Sequence, residues 1–236
     1  MSSHPSDKSF LVIAAMVKPV LTAFTHREWT DEQNVPRSGG VIVAANHISP
    51  ADGVVLGNAL YDHGRLPRLL TKVEILRIPV LGPLMRATGQ IAVYRDSDQA
   101  GNALRDATAA LKAGDCVVIF PEGTNTKDPA YWPMRGHTGV ARLALDSGAP
   151  VIPLAQWGAQ EFFTPGKKPK FSRPVRKTVH FNAGRPVDLS AYAGREPTSE
   201  VLHGITDLIM ARIREQLGVI RGETPPTEVL DRLHAV

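Results

Sequence analysis

The 236-residue chain has one cysteine, Cys116, which excludes an intramolecular disulfide and suits a reducing compartment. Cys116 lies in the run Asp115-Cys116-Val117-Val118-Ile119-Phe120, which reads as a buried strand. The thiol is therefore expected to fill core space rather than act as a nucleophile. Long apolar runs are also missing. Phe10 to Val17 is apolar, but Lys18-Pro19 interrupts it, and the stretch to Phe24 falls short of the roughly 20 residues a spanning helix needs. No cleavable signal is expected there. There is no Gly-x-Ser-x-Gly elbow, no phosphate-binding Gly-x-x-x-x-Gly-Lys loop, no dinucleotide Gly-x-Gly-x-x-Gly and no His-Glu-x-x-His zinc pattern. A basic surface interleaved with aromatics is absent as well, which argues against a nucleic-acid partner.

What remains is globular in composition, with 43% hydrophobic and 21% charged residues. The net charge of +4 is unevenly spread: Lys167, Lys168, Lys170, Arg173, Arg176 and Lys177 crowd together with Pro169 and Pro174 between them. That stretch is either a solvated loop leading into a strand or a docking patch for anionic lipid headgroups or a phosphate-bearing substrate. Within residues 1–26, Phe10, Ile13, Val17, Leu21 and Phe24 recur at helical spacing. The resulting amphipathic helix either lies in a membrane surface or packs on the domain.

Strand patterns fall at 41–45, 68–71, 90–94, 116–120, 151–156 and 177–183, and helical patterns near 53–62, 73–78, 98–112, 136–146 and 199–217. In the 98–112 segment Ser97 offers a cap, Ala100, Ala103, Leu104, Ala107 and Leu111 form the stripe, and Gly114 ends it. This alternation predicts an α/β domain over 27–220, with a mostly parallel central sheet flanked by helices. The tail, 221–236, contains Pro225-Pro226 and reads as loosely ordered or appended.

Sites in such sheets gather outside the carboxyl ends of the strands, and three polar clusters fall there. Asn46-His47-Ile48-Ser49-Pro50-Ala51-Asp52 follows the first strand, Arg95 follows Gly89-Gln90-Ile91-Ala92-Val93-Tyr94, and Pro121-Glu122-Gly123-Thr124 follows the Cys116 run. A base needs one ring nitrogen exposed and the other N–H held by an acceptor. Asp52 becomes that acceptor if the chain turns at Pro50. Arg95 and a Gly-containing turn are natural anion holders. Glu122 would instead accept from substrate hydroxyls or hold Arg95. Together the clusters point to deprotonation of an alcohol that then attacks an electrophile such as an acyl carbon, without a covalent enzyme intermediate.

These blocks resemble those of the 1-acylglycerol-3-phosphate acyltransferase family, in the glycerolipid acyltransferase superfamily. The resemblance runs from about residue 40 to about residue 155. Asn46, His47 and Asp52 match its Asn-His-x-x-x-x-Asp block, Gly89 and Arg95 its second block, and Phe120 to Thr124 its Phe-Pro-Glu-Gly-Thr block. Val151-Ile152-Pro153-Leu154 matches the fourth, and Lys72, Glu74, Pro79 and Gly82 fit the segment between the first two.

The resemblance implies an enzyme that moves a fatty acyl group from a thioester of coenzyme A or acyl carrier protein to lysophosphatidic acid, giving phosphatidic acid. His47 would be the general base and Asp52 its orienting partner. Arg95 would pair with the acceptor phosphate, and Glu122 and Gly123 would shape the glycerol-phosphate site beside Asn46, Lys72 and Thr124. No metal or organic cofactor is implied, and the enzyme would sit peripherally on the cytoplasmic face of the cell membrane. Two features depart from the pattern. Asn125 stands where Arg often follows the third block, which leaves room for another lysophospholipid or a glycolipid as acceptor; a non-catalytic lipid-binding role is a separate alternative, against which intact His47 and Asp52 argue. Asp128-Pro129-Ala130-Tyr131-Trp132-Pro133 looks inserted, as an aromatic lid or as a packed surface loop. His137 reads as structural, and His26, His63, His180 and His203 show no partner spacing.

Overall fold

Branched and small apolar residues without polar alternation favour strands buried on both faces. The computed structural model, which describes residues 5–94, 100–161, 163 and 176–231, gathers such runs at the centre of one seven-stranded sheet. In chain order the elements are α1 (Pro5–Phe24), β1 (Thr25–Thr30), β2 (Val41–Ala45), α2 (Asp52–Asp62), β3 (Pro67–Lys72), α3 (Val73–Leu76), α4 (Leu81–Ala87) and β4 (Ile91–Val93). They continue with α5 (Ala100–Lys112), β5 (Cys116–Ile119), α6 (Gly139–Ser147), β6 (Val151–Trp157), β7 (Lys177–Ala183) and α7 (Ser199–Arg221).

The strand order is β1-β7-β6-β2-β5-β3-β4. All neighbours are parallel except β6 and β7, so β6, β2, β5, β3 and β4 end on one common edge. All five residues of β2 are fully buried, and their side chains alternate between two cores. Ile42 and Ala44 join Val117, Leu143, Ile205, Ile209 and Ile213 beneath α5, α6 and α7. Val41, Val43 and Ala45 join Leu56, Leu60, Val118, Ile152 and Phe181 beneath α2. Cys116 is wholly buried in this second core, and burial pushes its thiol up to about 12, so it is a packing residue.

Two elements lack a sequence signal. Thr25-His26-Arg27-Glu28-Trp29-Thr30 is polar because β1 is an edge strand with alternate residues facing solvent. Helix α4 contains Gly82 and Pro83, both poor helix formers. Pro83 lies in the first turn, where no intrahelical N–H bond is lost. A side chain at Gly82 would meet the Leu76 carbonyl oxygen at 2.0 Å, so only glycine lets α3 and α4 approach. Helix α6 begins at Gly139 rather than near residue 136, because the His137 N–H donates to the Pro121 carbonyl at 2.9 Å. Ser97, the expected cap of α5, lies outside the described residues.

Helix α1 packs on the domain through one side. Phe10 meets the Tyr61 ring at 5.9 Å, Lys18 pairs with Asp62 at 2.7 Å, and Asp7 pairs with Arg68 at 2.5 Å. Burial would push the Asp62 carboxyl up, but bonds from Lys18 and Arg27 outweigh it and hold the group below its ordinary value. The chain passes from α1 straight into β1, so the sheet begins at Thr25.

The 128–133 segment is a packed loop. Trp132 is only 7% exposed, and the Arg221 guanidinium lies 4.4 Å from its ring centre and 4.6 Å from that of Trp157. Arg221 also donates to the Ala130 carbonyl and pairs with Glu223, each at 2.6 Å. The tail to Asp231 is laid against the domain, with the Arg135 N–H donating to the Leu230 carbonyl at 3.1 Å. Of the basic stretch, residues 167–175 lie outside the described residues. Arg176 donates to the Thr22 carbonyl, and Lys177 pairs with Glu161 at 2.9 Å.

Arg221→Ala removes a largely desolvated cation between two indoles, each such contact being worth roughly 0.5–2 kcal/mol. The expected loss is about 1–3 kcal/mol, read as a lower midpoint in urea denaturation with an unchanged slope. An unchanged midpoint would mean that the stack does not hold the loop.

Candidate active site

Strand β2 ends at Ala45, and the next residue extends its pairing with side-chain groups. Asn46 Oδ1 accepts from the Gln156 N–H at 2.8 Å, Asn46 Nδ2 donates to the Gln156 carbonyl at 3.0 Å, and Gln156 Nε2 returns a bond to the Asn46 carbonyl at 3.0 Å. Both residues are fully buried. The exit of the chain from the sheet is thus fixed immediately before His47.

Residues 47–52 then fold around one oxygen. Asp52 Oδ2 accepts from the Ile48 and Ser49 N–H groups at 2.6 and 2.8 Å and lies 2.9 Å from His47 Nδ1. Asp52 opens α2, where the helix dipole favours negative charge. Burial pushes its carboxyl up from the ordinary value, and the His47 ring and the two amides pull against that rise. The His47 ring stacks on Phe120 with centroids 4.4 Å apart. Its side chain remains 20% exposed while that of Asp52 is fully buried. Among the described residues Nε2 has no hydrogen-bond partner, so the polar atom opposite the carboxylate is available to a ligand.

The turn after β5 holds the same histidine by its backbone. Glu122 Oε1 accepts the His47 N–H at 2.9 Å, Glu122 Oε2 accepts the Met134 N–H at 3.0 Å, and the Thr126 N–H donates to the His47 carbonyl at 2.7 Å. Gly123 adopts φ 69°, a left-handed conformation that favours glycine, and its N–H closes the turn onto the Phe120 carbonyl. Thr124 and Asn125 are half-buried on the same turn, and the Asn125 amide nitrogen lies 3.2 Å from His47 Nδ1.

The structure therefore brings His47, Asp52, Asn46, Glu122, Gly123 and Thr124 to one edge of the sheet. Two of them are turned toward the protein's own backbone. Asn46 is fully buried and engaged with Gln156, and Glu122 is fully buried with both oxygens turned to backbone amides, because an unpaired buried carboxylate is costly. Lys72 ends β3 on the same edge, half-buried, two strands from β2. Arg95 lies outside the described residues. Gln156 and Met134 were not indicated by motif, although a glutamine inside the apolar run Val151-Ile152-Pro153-Leu154-Ala155 is itself a signal of a buried polar contact. A cleft of about 770 Å³ lies elsewhere, between α5 and α6, lined by residues including Leu104, Arg105, Lys112, Arg142 and Asp146. It contains none of the groups above and lies beside the outer faces of two helices, so it is not the site.

An imidazole held this way has the chemistry to accept a proton from a bound hydroxyl. A family model described as acyltransferase matches residues 19–157. The chain belongs to the acyltransferase family. It is similar to a 1-acyl-sn-glycerol-3-phosphate acyltransferase of Borreliella burgdorferi, 26% identical over 200 residues that cover 81% of this chain and 72% of that protein. A Bacillus subtilis protein of the same description is 24% identical over 188 residues, covering 78% of this chain and 85% of that one. The fold resembles that of the 1-acyl-sn-glycerophosphate acyltransferase PlsC of Thermotoga maritima, with TM-score 0.63, 24% identity, and coverage of 88% and 79% of the two chains.

Glu122→Gln separates tethering from substrate contact in this acyltransferase. The new amide turns a donor toward one of two backbone N–H groups, so the expected result is a loss of about 1–3 kcal/mol in stability. The maximal rate should fall while the acceptor KM holds. A raised acceptor KM with stability unchanged would make Glu122 a substrate ligand instead.

Proposed function

We propose that the protein acylates the free hydroxyl of lysophosphatidic acid from an acyl thioester, with His47 as general base and Asp52 as its orienting partner. The observation that carries this reading is the 2.9 Å contact between His47 Nδ1 and a fully buried carboxylate oxygen, on a ring whose side chain stays 20% exposed. The activity named for the Borreliella and Bacillus relatives supports the choice of acceptor.

In the proposed reaction His47 Nε2 takes the hydroxyl proton as the oxygen forms a bond to the thioester carbonyl carbon. The tetrahedral intermediate collapses, the C–S bond breaks, and the thiolate leaves and recovers the proton from the imidazolium. No ester to the protein forms. The thioester carries its own activation, so no metal or organic cofactor enters the scheme. Coenzyme A and acyl carrier protein both present the required donor. Asn125 favours keeping a second acceptor class, another lysophospholipid or a glycolipid, in the same assay.

We further propose that the enzyme works peripherally at the cytoplasmic face of the cell membrane. Among the described residues no helix is long and apolar enough to cross a membrane. The outer side of α1 nevertheless exposes Leu11, Val12, Met16, Val20 and Phe24, and the loop before α4 exposes Ile78 and Val80. Val80 is 84% exposed and held at φ 69°, an uncommon conformation for a branched residue. An apolar row of this kind supports burial in a lipid interface.

His47→Ala should lower thiol release in the presence of lysophosphatidic acid by about 10²–10⁴-fold with the fold retained by circular dichroism. Unchanged turnover would remove the base assignment. Free fatty acid without acylated product would mark a hydrolase, and a better rate on another lysolipid would reassign the acceptor. For the interface, the double substitution Val12→Glu and Met16→Glu should abolish co-sedimentation with liposomes while leaving the thermal midpoint unchanged. Equal sedimentation would discard α1 as the contact.

A further inference from the structure

Two side chains converge on one ring nitrogen. His47 Nδ1 lies 2.9 Å from Asp52 Oδ2 and 3.2 Å from the side-chain amide of Asn125. That nitrogen holds either a hydrogen or a lone pair, and the two neighbours ask for different states. With hydrogen on Nδ1, Asp52 accepts it and Nε2 keeps the lone pair that makes the ring a base. With the lone pair on Nδ1, an Asn125 N–H satisfies it, Asp52 faces a second lone pair, and Nε2 carries a hydrogen and takes no proton.

The carboxylate decides the contest. Asp52 Oδ2 is already fixed by the Ile48 and Ser49 amides and is fully buried, so turning a lone pair toward it leaves a buried acceptor opposed. A hydrogen bond to an ionised group is about twice as strong as a neutral one. Hydrogen therefore resides on Nδ1. A second N–H cannot meet it, whereas the oxygen of a carboxamide, reached by a half-turn within the same shape, can. Asn125 is also held in place, because its neighbours Glu122 and Thr126 both bond to the His47 backbone.

We infer that Asn125 is a positioning residue for the acyl transfer, its carboxamide oxygen sharing with Asp52 the hydrogen that Asp52 holds on Nδ1, and so fixing the orientation of the His47 ring whose Nε2 is basic. The inference rests on the His47–Asp52 reading proposed above. The hydrogen stays on Nδ1 before and after the ring takes a proton, so the contact persists through the step and strengthens as the ring becomes positive. A turn asparagine with no such role would leave the ring indifferent to its replacement.

The test is nitrogen NMR of the full-length protein carrying 15N-histidine, with the His47 signals assigned by their loss in His47→Gln, alongside steady-state kinetics. In the unsubstituted protein Nδ1 should be protonated and Nε2 unprotonated in the neutral ring. Asn125→Leu keeps the bulk and removes the acceptor. It should leave Nδ1 protonated through Asp52, shift the Nδ1-bound proton signal upfield as one of its two acceptors is lost, and lower kcat about 5–10-fold, the worth of one hydrogen bond, with the acceptor KM within about twofold. Asn125→Asp retains an oxygen, cannot donate, and should keep the proton signal from moving upfield. If Asn125→Leu fails to fold by circular dichroism, Asn125→Ala is read the same way. Unchanged spectra and kcat in the folded apolar variant overturn the inference, as does an equal upfield shift in Asn125→Asp. Hydrogen found on Nε2 of the unsubstituted neutral ring overturns the dyad reading itself, a distinct result from loss of the Asn125 effect alone.

Discussion

One carboxylate oxygen organises the site. Asp52 Oδ2 faces His47 Nδ1 and receives the N–H groups of Ile48 and Ser49, so the segment between base and acid is wound around the acid itself. Sequence separation and geometry follow from each other here: four residues lie between the two partners, two of them spend their amides on the carboxylate, and Pro50 keeps the turn tight. The ring is held at Nδ1, its N–H and C=O backbone groups are held by Glu122 and Thr126, and Phe120 covers one face. A ring restrained at so many points has little orientation left to lose, which is what the general base proposed for this site requires.

The sheet supplies the frame for that restraint. β2 and β5 are parallel neighbours in register, Val41 opposite Cys116 through Ala44 opposite Ile119, so the loops carrying His47 and Glu122 leave the same edge side by side. Beyond Ala45 the ladder to β6 continues through the Asn46 side chain and Gln156, which copies backbone pairing for one more step. Asn46 and Glu122 thus belong to the apparatus that aims the histidine. On the far side of the β5 turn, Thr126 Oγ1 donates to the Trp132 carbonyl at 2.7 Å, and Trp132 is stacked under Arg221. The end of α7 is in this way joined to the turn that carries Asn125.

The central strands and long helices were legible because burial on both faces leaves uninterrupted apolar runs, and because Gly and Thr punctuate α6 and α7 where capping needs them. The His47–Asp52 contact was legible because its partners are close in sequence. What the sequence hid shares a different physics. β1 has the polar alternation of an edge, and α4 forms by packing despite glycine and proline. Glu122 and Asn46 look like substrate ligands in one dimension, since a motif shows residue type and spacing but not which way a polar group faces. Only the fold reveals that backbone amides 12 and 75 residues away claim both oxygens of Glu122. The partner of Asn125 was hidden for the same reason, being 78 positions distant.

The charge pattern of the site bears on how a phosphate-bearing acceptor would enter it in the proposed reaction. Two fully buried carboxylates, Asp52 and Glu122, flank the histidine; Asp52 faces the His47 ring, both receive main-chain N–H groups, and the Arg214 guanidinium lies close enough to Glu122 for their charges to interact. Ionised carboxylates only accept hydrogen bonds, so these two offer an approaching phosphate no donor. In the proposed reaction the hydroxyl and the phosphate of such an acceptor would therefore take different parts of the edge. Strands lie about 4.8 Å apart, so β3, two strands from β2, ends roughly 10 Å away. Lys72 closes β3 on that side, and β4, whose loop leads to Arg95, lies beyond it. Strand order thus separates His47, after β2, from Lys72, at the end of β3. In the proposed reaction a lysolipid spanning the two would place its reactive oxygen, and not its phosphate, against His47.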